Sequence, residues 1–158
     1  GEDPEAVTVR RWLESVIDRW RLMRPEVRLD VNLYALTNNP HIALDDSVSQ
    51  ALINLLNNSA DASLENNVAH IRLSARCDHA NIAICIEDEG RGISAEDRAR
   101  AGRLRFSTKP DGRGLGLVLS HVSLERIGGE VRLDARESGG TRTQISLPLA
   151  PLGAATPT

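Results

Sequence analysis

Asn81-Ile82-Ala83-Ile84-Cys85-Ile86-Glu87-Asp88-Glu89-Gly90-Arg91-Gly92-Ile93 is the stretch on which the reading of this chain turns. From Asn81 to Asp88 isoleucines alternate with other residues, the period of a half-buried strand. Ile82, Ile84 and Ile86 share one face, and period 2 puts Asp88 on that same face. A carboxylate in phase with a buried row is costly unless it is hydrogen-bonded. Gly90 and Gly92 follow at once. They allow a backbone path, and a close approach by a ligand, that other residues do not. Alone, the stretch reads either as a plain strand-to-loop turn or as the floor of a site.

Upstream, Ala69 to Cys77 reads as a second strand, joined to the first by a tight Asp78-His79 turn. A helix precedes it, capped by Asp46 or Ser47 and running to about Ser63. Its apolar stripe is Val48, Ala51, Leu52, Leu55, Leu56 and Ala62. Nearer the start, Val7-Thr8-Val9 suits a short strand. Arg10 to Arg24 has Trp12, Leu13, Val16, Ile17 and Trp20 at helical spacing and stops at Pro25. Val27 to Leu33 alternates as a strand with one wet face, and His41 to Leu44 is a further short strand. Downstream, Glu89 to Arg113 is irregular. A helix is expected from about Gly114 to Ile127, ended by Gly128-Gly129, and strands near Glu130–Ala135 and Thr141–Leu147. The sum is an α/β (α+β) two-layer sandwich: one mixed sheet with three main helices on one face. The domain is expected over residues 1–150, with a disordered tail over 151–158.

Composition narrows the function. At 158 residues the chain is of single-domain size, and 41% apolar residues suffice for a core. The formal net charge of -3 argues against a duplex nucleic-acid binder, which needs a basic face. Aromatic residues at 3% leave no stacking platform for single strands. No apolar run approaches the ~20 residues of a membrane span. Cys77 and Cys85 show neither zinc nor C-x-x-C spacing, and read as buried thiols in a reducing, cytoplasmic compartment.

Three further features carry chemistry. Asn54, Asn58 and Asp61 stand at i, i+4 and i+7, one polar stripe along the helix. Asparagine is a poor helix former, so mid-helix Asn54, Asn57 and Asn58 suggest amides with a task beyond a solvated face. An amide oxygen is a hard neutral ligand suited to phosphate-bound Mg²⁺. Gly112-Arg113-Gly114-Leu115-Gly116-Leu117 runs straight into a helix, placing backbone N–H groups at a helix N-terminus, an anion site. It is neither a Walker A loop nor a dinucleotide fingerprint. Between Arg91 and Arg113 lie seven cations against three acids, a local field for a polyanion in a net acidic chain.

The order and spacing of these pieces resemble the catalytic, ATP-binding domain of sensor histidine kinases, in the GHKL superfamily. Asn54 to Ala62 resembles the N box, Asp88 to Ile93 the first glycine box, Phe106 to Lys109 the F-box region, and Gly112 to Leu117 the second glycine box. Gly140-Thr141 resembles the final Gly-Thr element. The match covers roughly residues 6 to 150. It implies a Bergerat fold and a nucleotide site built from Asn54, Asn58, Asp61, Asp88, Gly90, Gly92, Ile93, Phe106, Thr108, Lys109, Gly112, Arg113, Gly114, Leu115, Gly116, Leu117 and Thr141. By the same resemblance Asn58 ligates Mg²⁺, Asn54 lines the phosphate side, and Asp88 accepts from the adenine amine. Lys109 meets the terminal phosphates and the Gly112–Gly116 amides cradle them. Asn54, Asn58 and Lys109 form the catalytic set.

There are departures from the pattern. Gly102 and Arg105 stand where the segment before the F box often has packing residues, and Arg113 replaces a common threonine. The stretch from about Ala95 to Gly112 is therefore expected to be mobile without nucleotide. His41, His70, His79 and His121 do not resemble a phosphoacceptor. The partner implied is a histidine-bearing dimerisation domain of a parent kinase, itself a possible inner-membrane protein, with relay to a response regulator. The domain itself is expected to be monomeric, outside the membrane, with ATP, ADP and Mg²⁺ as ligands. The alternatives are a GHKL ATPase, an anti-sigma serine kinase, or a non-catalytic nucleotide sensor. The first two generally carry a glutamate as general base where this chain has Asn54.

Overall fold

The computed structural model describes residues 5–91 and 120–153. Five strands form the main sheet, in the order β2-β4-β5-β7-β6: β2 (Arg28–Asn32), β4 (His70–Cys77), β5 (Asn81–Asp88), β7 (Thr141–Pro148) and β6 (Glu130–Ala135). The β2–β4 pair is parallel and the other pairs are antiparallel, so the sheet is mixed. Two-residue strands β1 (Val7–Thr8) and β3 (His41–Ile42) pair separately. Helix α1 (Val9–Met23) precedes β2, and α2 (Asp46–Glu65) makes the crossover from β2 to its parallel neighbour β4. Residues 120–125 are also helical.

The alternation read from the sequence sets the two faces of the sheet. In β5, Ile82, Ile84, Ile86 and Asp88 are buried, and Asn81, Ala83, Cys85 and Glu87 are only half-buried. The same alternation in β4 and β7 continues the buried row. Trp12 of α1, Val48, Leu52 and Leu55 of α2, and Leu124 converge on Ile84, Ile145 and Leu147. All three helical segments thus supply apolar cover to one face, as expected of a two-layer sandwich. Cys77 is buried with that row, whereas Cys85 lies in the opposite, open face. Only one thiol fits the expectation, because the two fall on opposite phases of their strands.

Helix α1 is bound to α2 by its two tryptophans. Trp12 Nε1 donates to Ser49 Oγ and Trp20 Nε1 to Asn57 Oδ1, each at 2.9 Å. A buried indole needs such a partner for its N–H. Asp45, rather than Asp46 or Ser47, caps α2 by accepting from the Ser47 N–H at 2.9 Å. The helix runs two residues past Ser63 and ends where Asn67 takes a left-handed conformation, φ 61°.

The chain end differs from expectation. Leu149 N–H donates to the Ala80 carbonyl, Ala150–Leu152 form a 3-10 turn, and Leu152 is buried with its carbonyl held by Ala43 N–H. Burial of Leu149 and Leu152 offsets the ordering of this short segment, so the tail expected from 151 onward starts no earlier than 154.

Trp20→Ala is expected to lower unfolding stability by about 3–5 kcal/mol, and Trp20→Phe, which removes the N–H and part of the buried ring system, by less, about 1–3 kcal/mol. Urea unfolding of both variants checks this; a Trp20→Phe loss within error of zero would show that the Asn57 bond contributes nothing.

Candidate functional site

The ladder between β5 and β7 ends at the Glu87–Arg142 pair, while Asp88 still pairs with Ile71 of β4. Asp88 is therefore half outside the sheet and yet only 3% exposed. Its Oδ1 accepts two backbone N–H groups, from Gly90 and from Thr141, each at 3.0 Å. Its Oδ2 has no partner among the described residues. Burial raises the carboxyl above its ordinary value, opposed in part by these two N–H groups and by the charge of Arg136. The chain passes very close on the β7 side. A Cβ on Gly140, which has φ +87°, would lie 2.1 Å from the Asp88 carbonyl oxygen. Only glycine fits there.

The loop after Asp88 is docked on the C-terminal half of α2. Glu89 N–H donates to Ser63 Oγ, and Ser63 Oγ donates to the His70 carbonyl, both at 2.9 Å. Asn66 Nδ2 donates to the Glu89 carbonyl at 3.0 Å. A Cβ on Gly90 would stand 3.0 Å from both the Cβ and the carbonyl oxygen of Ala62. The glycine is what allows strand end and helix to meet this closely.

The asparagines of α2 divide by task. Asn57 Oδ1 accepts from Trp20 Nε1 and from Arg24 Nη1, the latter at 3.2 Å, so this amide is structural. Asp61 is ion-paired to Arg24 Nη2 at 3.0 Å. That carboxylate, expected in the nucleotide site, is engaged by the end of α1. Asn54 Oδ1 accepts from Gln50 Nε2, one turn earlier. Asn58 differs from all three: its Nδ2 is shut off from solvent with no hydrogen-bond partner among the described residues. An orphaned buried amide is costly, and a bound ligand is one way to relieve it.

Of the residues expected to bind nucleotide, the structure brings together Asp88, Gly90 and Thr141 at one end of the sheet, with Asn54, Asn58 and Asp61 along α2. Thr141 meets Asp88 through its backbone N–H. Gly92, Ile93, Phe106, Thr108, Lys109, Gly112, Arg113, Gly114, Leu115, Gly116 and Leu117 lie outside the described residues, as does the stretch expected to be mobile. Sequence reasoning missed Ser63, Asn66 and Arg136. A signal existed for Ser63, a small polar residue in phase with the buried stripe of α2; for the other two there was none.

Ser63→Ala removes one donor and one acceptor from a fully buried junction. It is expected to cost about 1–3 kcal/mol in denaturant unfolding; a loss within error of zero would show that the Glu89 and His70 backbone groups find other partners.

Residues 43–151 match the family described as histidine kinase-, DNA gyrase B-, and HSP90-like ATPase. The sensor protein DegM of Bacillus sp. (strain B21-2) is 33% identical over 105 residues, which is 66% of this chain and 28% of that protein. The chain spans about a quarter of the length of this and other curated relatives. Among solved structures, the mycobacterial sensor histidine kinase MprB is 26% identical with a TM-score of 0.67, covering 92% of this chain and 97% of that one. The catalytic domain of histidine kinase ThkA, 21% identical with a TM-score of 0.71, covers 93% of this chain and 97% of that one and shares the fold. With more than half of its residues matched, and with the strand end, glycine contacts and asparagine helix brought to one place, the chain belongs to the histidine kinase-, DNA gyrase B- and HSP90-like ATPase family.

Proposed function

We propose that this chain is the ATP-binding catalytic domain of a sensor histidine kinase. It binds Mg-ATP and transfers the γ-phosphoryl group to a histidine on a separate dimerisation domain, for relay to a response regulator. The bond from γ-phosphorus to the ADP oxygen breaks, a bond to an imidazole nitrogen forms, and ADP leaves. The observation that carries the reading is Asp88: buried, anchored through Oδ1 by two backbone N–H groups, with an Oδ2 that has no partner among the described residues and can meet an incoming donor. The adenine exocyclic amine is such a donor. Gly90, packed against Ala62, keeps the backbone beside the base free of side chain.

The fit to a metal-bound triphosphate rests on Asn58. Its Nδ2 is the one buried, unsatisfied side-chain atom on α2 among the described residues, a donor that suits a phosphate oxygen, and its amide oxygen is of the hard neutral ligand type that suits Mg²⁺. Mg²⁺, when bound, neutralises charge on the phosphate oxygens. Asn54, one turn earlier, faces the phosphates in this reading, and Lys109 with the Gly112–Gly116 backbone completes their binding. With Asn54 at the position where ATPase relatives carry a glutamate, no carboxylate there activates water. That favours transfer to an imidazole, which needs no base. The site of action follows from the same reading: a cytoplasmic domain of a larger kinase. Among the described residues no helix is long and apolar enough to cross a membrane.

Asp88→Asn keeps an oxygen for the Gly90 and Thr141 N–H groups but puts an NH₂ where the adenine amine must donate. ADP affinity is expected to fall at least tenfold by calorimetry, a loss of about 1.4 kcal/mol or more; unchanged affinity would remove Asp88 from the site. The same variant separates stability from function. Because the folded-state pKa of Asp88 is raised above the ordinary 3.8, folding binds extra proton in that window. The wild-type chain therefore loses stability, relative to the Asp88→Asn variant, as pH rises from below 3.8 through the raised value. Without nucleotide, the variant is expected to gain stability on the wild type over that window and to hold the gain at neutral pH. A gain that shrinks with rising pH would reverse the sign.

Incubation with γ-labelled ATP, alone and with the parent's dimerisation domain, tests the transfer. Acid-labile label on the added domain, and little phosphate released by this chain alone, is the expected pattern. Acid-stable label on this chain would indicate a serine or threonine kinase, and rapid phosphate release an ATPase.

A further inference from the structure

Beyond the end of the β5–β7 ladder, the Asp88 carbonyl has lost its strand partner. The space beside it is occupied by Gly140, which presents no donor there. The donor comes instead from the hairpin joining β6 to β7. Arg136 Nη1 donates to the Asp88 carbonyl at 2.5 Å, and Arg136 Nε pairs with Glu87 Oε2 at 2.9 Å. The Arg136 side chain is 10% exposed, deep for an arginine. Its own backbone closes the hairpin, with the Arg136 N–H donating to the Gly140 carbonyl at 3.1 Å. One residue thus holds both the strand end that carries Asp88 and the turn that delivers the Thr141 N–H to Asp88 Oδ1.

We infer that Arg136 is a positioning residue for nucleotide recognition: by gripping Glu87 and the Asp88 carbonyl it fixes the carboxylate that reads the base. The inference rests on the reading of Asp88 as the adenine acceptor. A planar guanidinium can serve two acceptors at once in fixed geometry, which a lysine ammonium does less well. Arg142 stands 3.6 Å from the same Glu87 oxygen, so Glu87 keeps a cation when Arg136 is replaced.

The test is the ratio of the Kd for IDP to the Kd for ADP, measured on the full 158-residue chain. IDP carries a carbonyl where ADP carries the amine. Both nucleotides are titrated into one sample, so the ratio does not depend on the fraction folded. Arg136→Met is expected to weaken ADP about tenfold, the worth of a charge-assisted hydrogen bond, and to weaken IDP much less. Arg136→Lys is expected to fall between Met and wild type. Equal weakening of ADP and IDP, or no change in either, would overturn the inference. If Arg136→Met fails to fold, the Lys variant and Glu87→Gln carry the same ratio, with a smaller expected shift. Asp88→Asn runs in parallel: intact ADP binding there removes the base-reading role and this inference with it. Lost ADP binding there, with an unchanged ratio for Arg136 variants, removes the positioning role alone.

Discussion

A carboxylate sits in the buried row of the sheet, and most of the local structure is what that placement requires. Asp88 occupies the position after Ile82, Ile84 and Ile86 on the face covered by helices, where an unsatisfied charge is not tolerated. Two backbone N–H groups meet one of its oxygens, from Gly90 on one side and Thr141 on the other. Bringing both to it forces close backbone approaches. Gly140 must lack a Cβ because the Asp88 carbonyl lies against it, and a Cβ on Gly90 would crowd Ala62 at 3.0 Å. The glycines near Asp88 are thus consequences of the carboxylate's position as much as provisions for a ligand.

Two N–H groups satisfy one oxygen, the other has no partner among the described residues, and burial raises the carboxyl above its ordinary value. The site without ligand is consequently less stable than a fully paired one would be. The same holds for Asn58, whose buried amide nitrogen lacks a partner among the described residues. Both groups would lose this penalty when a complementary ligand binds. That is the usual relation between stability and function at a binding site.

The two sides of the site are held by different means. Asp88 is held from the sheet by the β6–β7 hairpin and from α2 by Ser63 and Asn66 through Glu89. The asparagine face of α2 is held from behind by α1, with Trp20 and Arg24 on Asn57 and Arg24 on Asp61. Asn57 and Asp61 thereby set the rotation of α2, and Asn58 is left available. Arginine serves both anchors because its planar donors reach two acceptors from different elements.

The local pattern of the sequence determined a great deal. Period-2 runs and the helical spacing of Trp12, Leu13, Val16, Ile17 and Trp20 define strands and helix within a few residues. The phase of Asp88 in its strand is enough to mark it as a site candidate. The ordered motifs identified the family. These features are legible because they depend on residues close in the chain, where backbone geometry fixes which side chains share a face. What only the tertiary structure decided depends on partners far apart in sequence. Asn57 and Asn58 are adjacent and chemically identical, yet one meets Trp20 and Arg24 and the other has an amide nitrogen unmet among the described residues, because α1 packs on one flank of α2. Asp61 fell to Arg24 for the same reason. Arg136 looks like any hairpin arginine until the turn folds it onto Glu87 and the Asp88 carbonyl, 48 residues away in sequence. Leu152 looks like part of a loose tail until it finds a buried place and the Ala43 N–H. Burial and hydrogen-bond completion are properties of the packed chain, and no local spacing encodes which distant group will supply them.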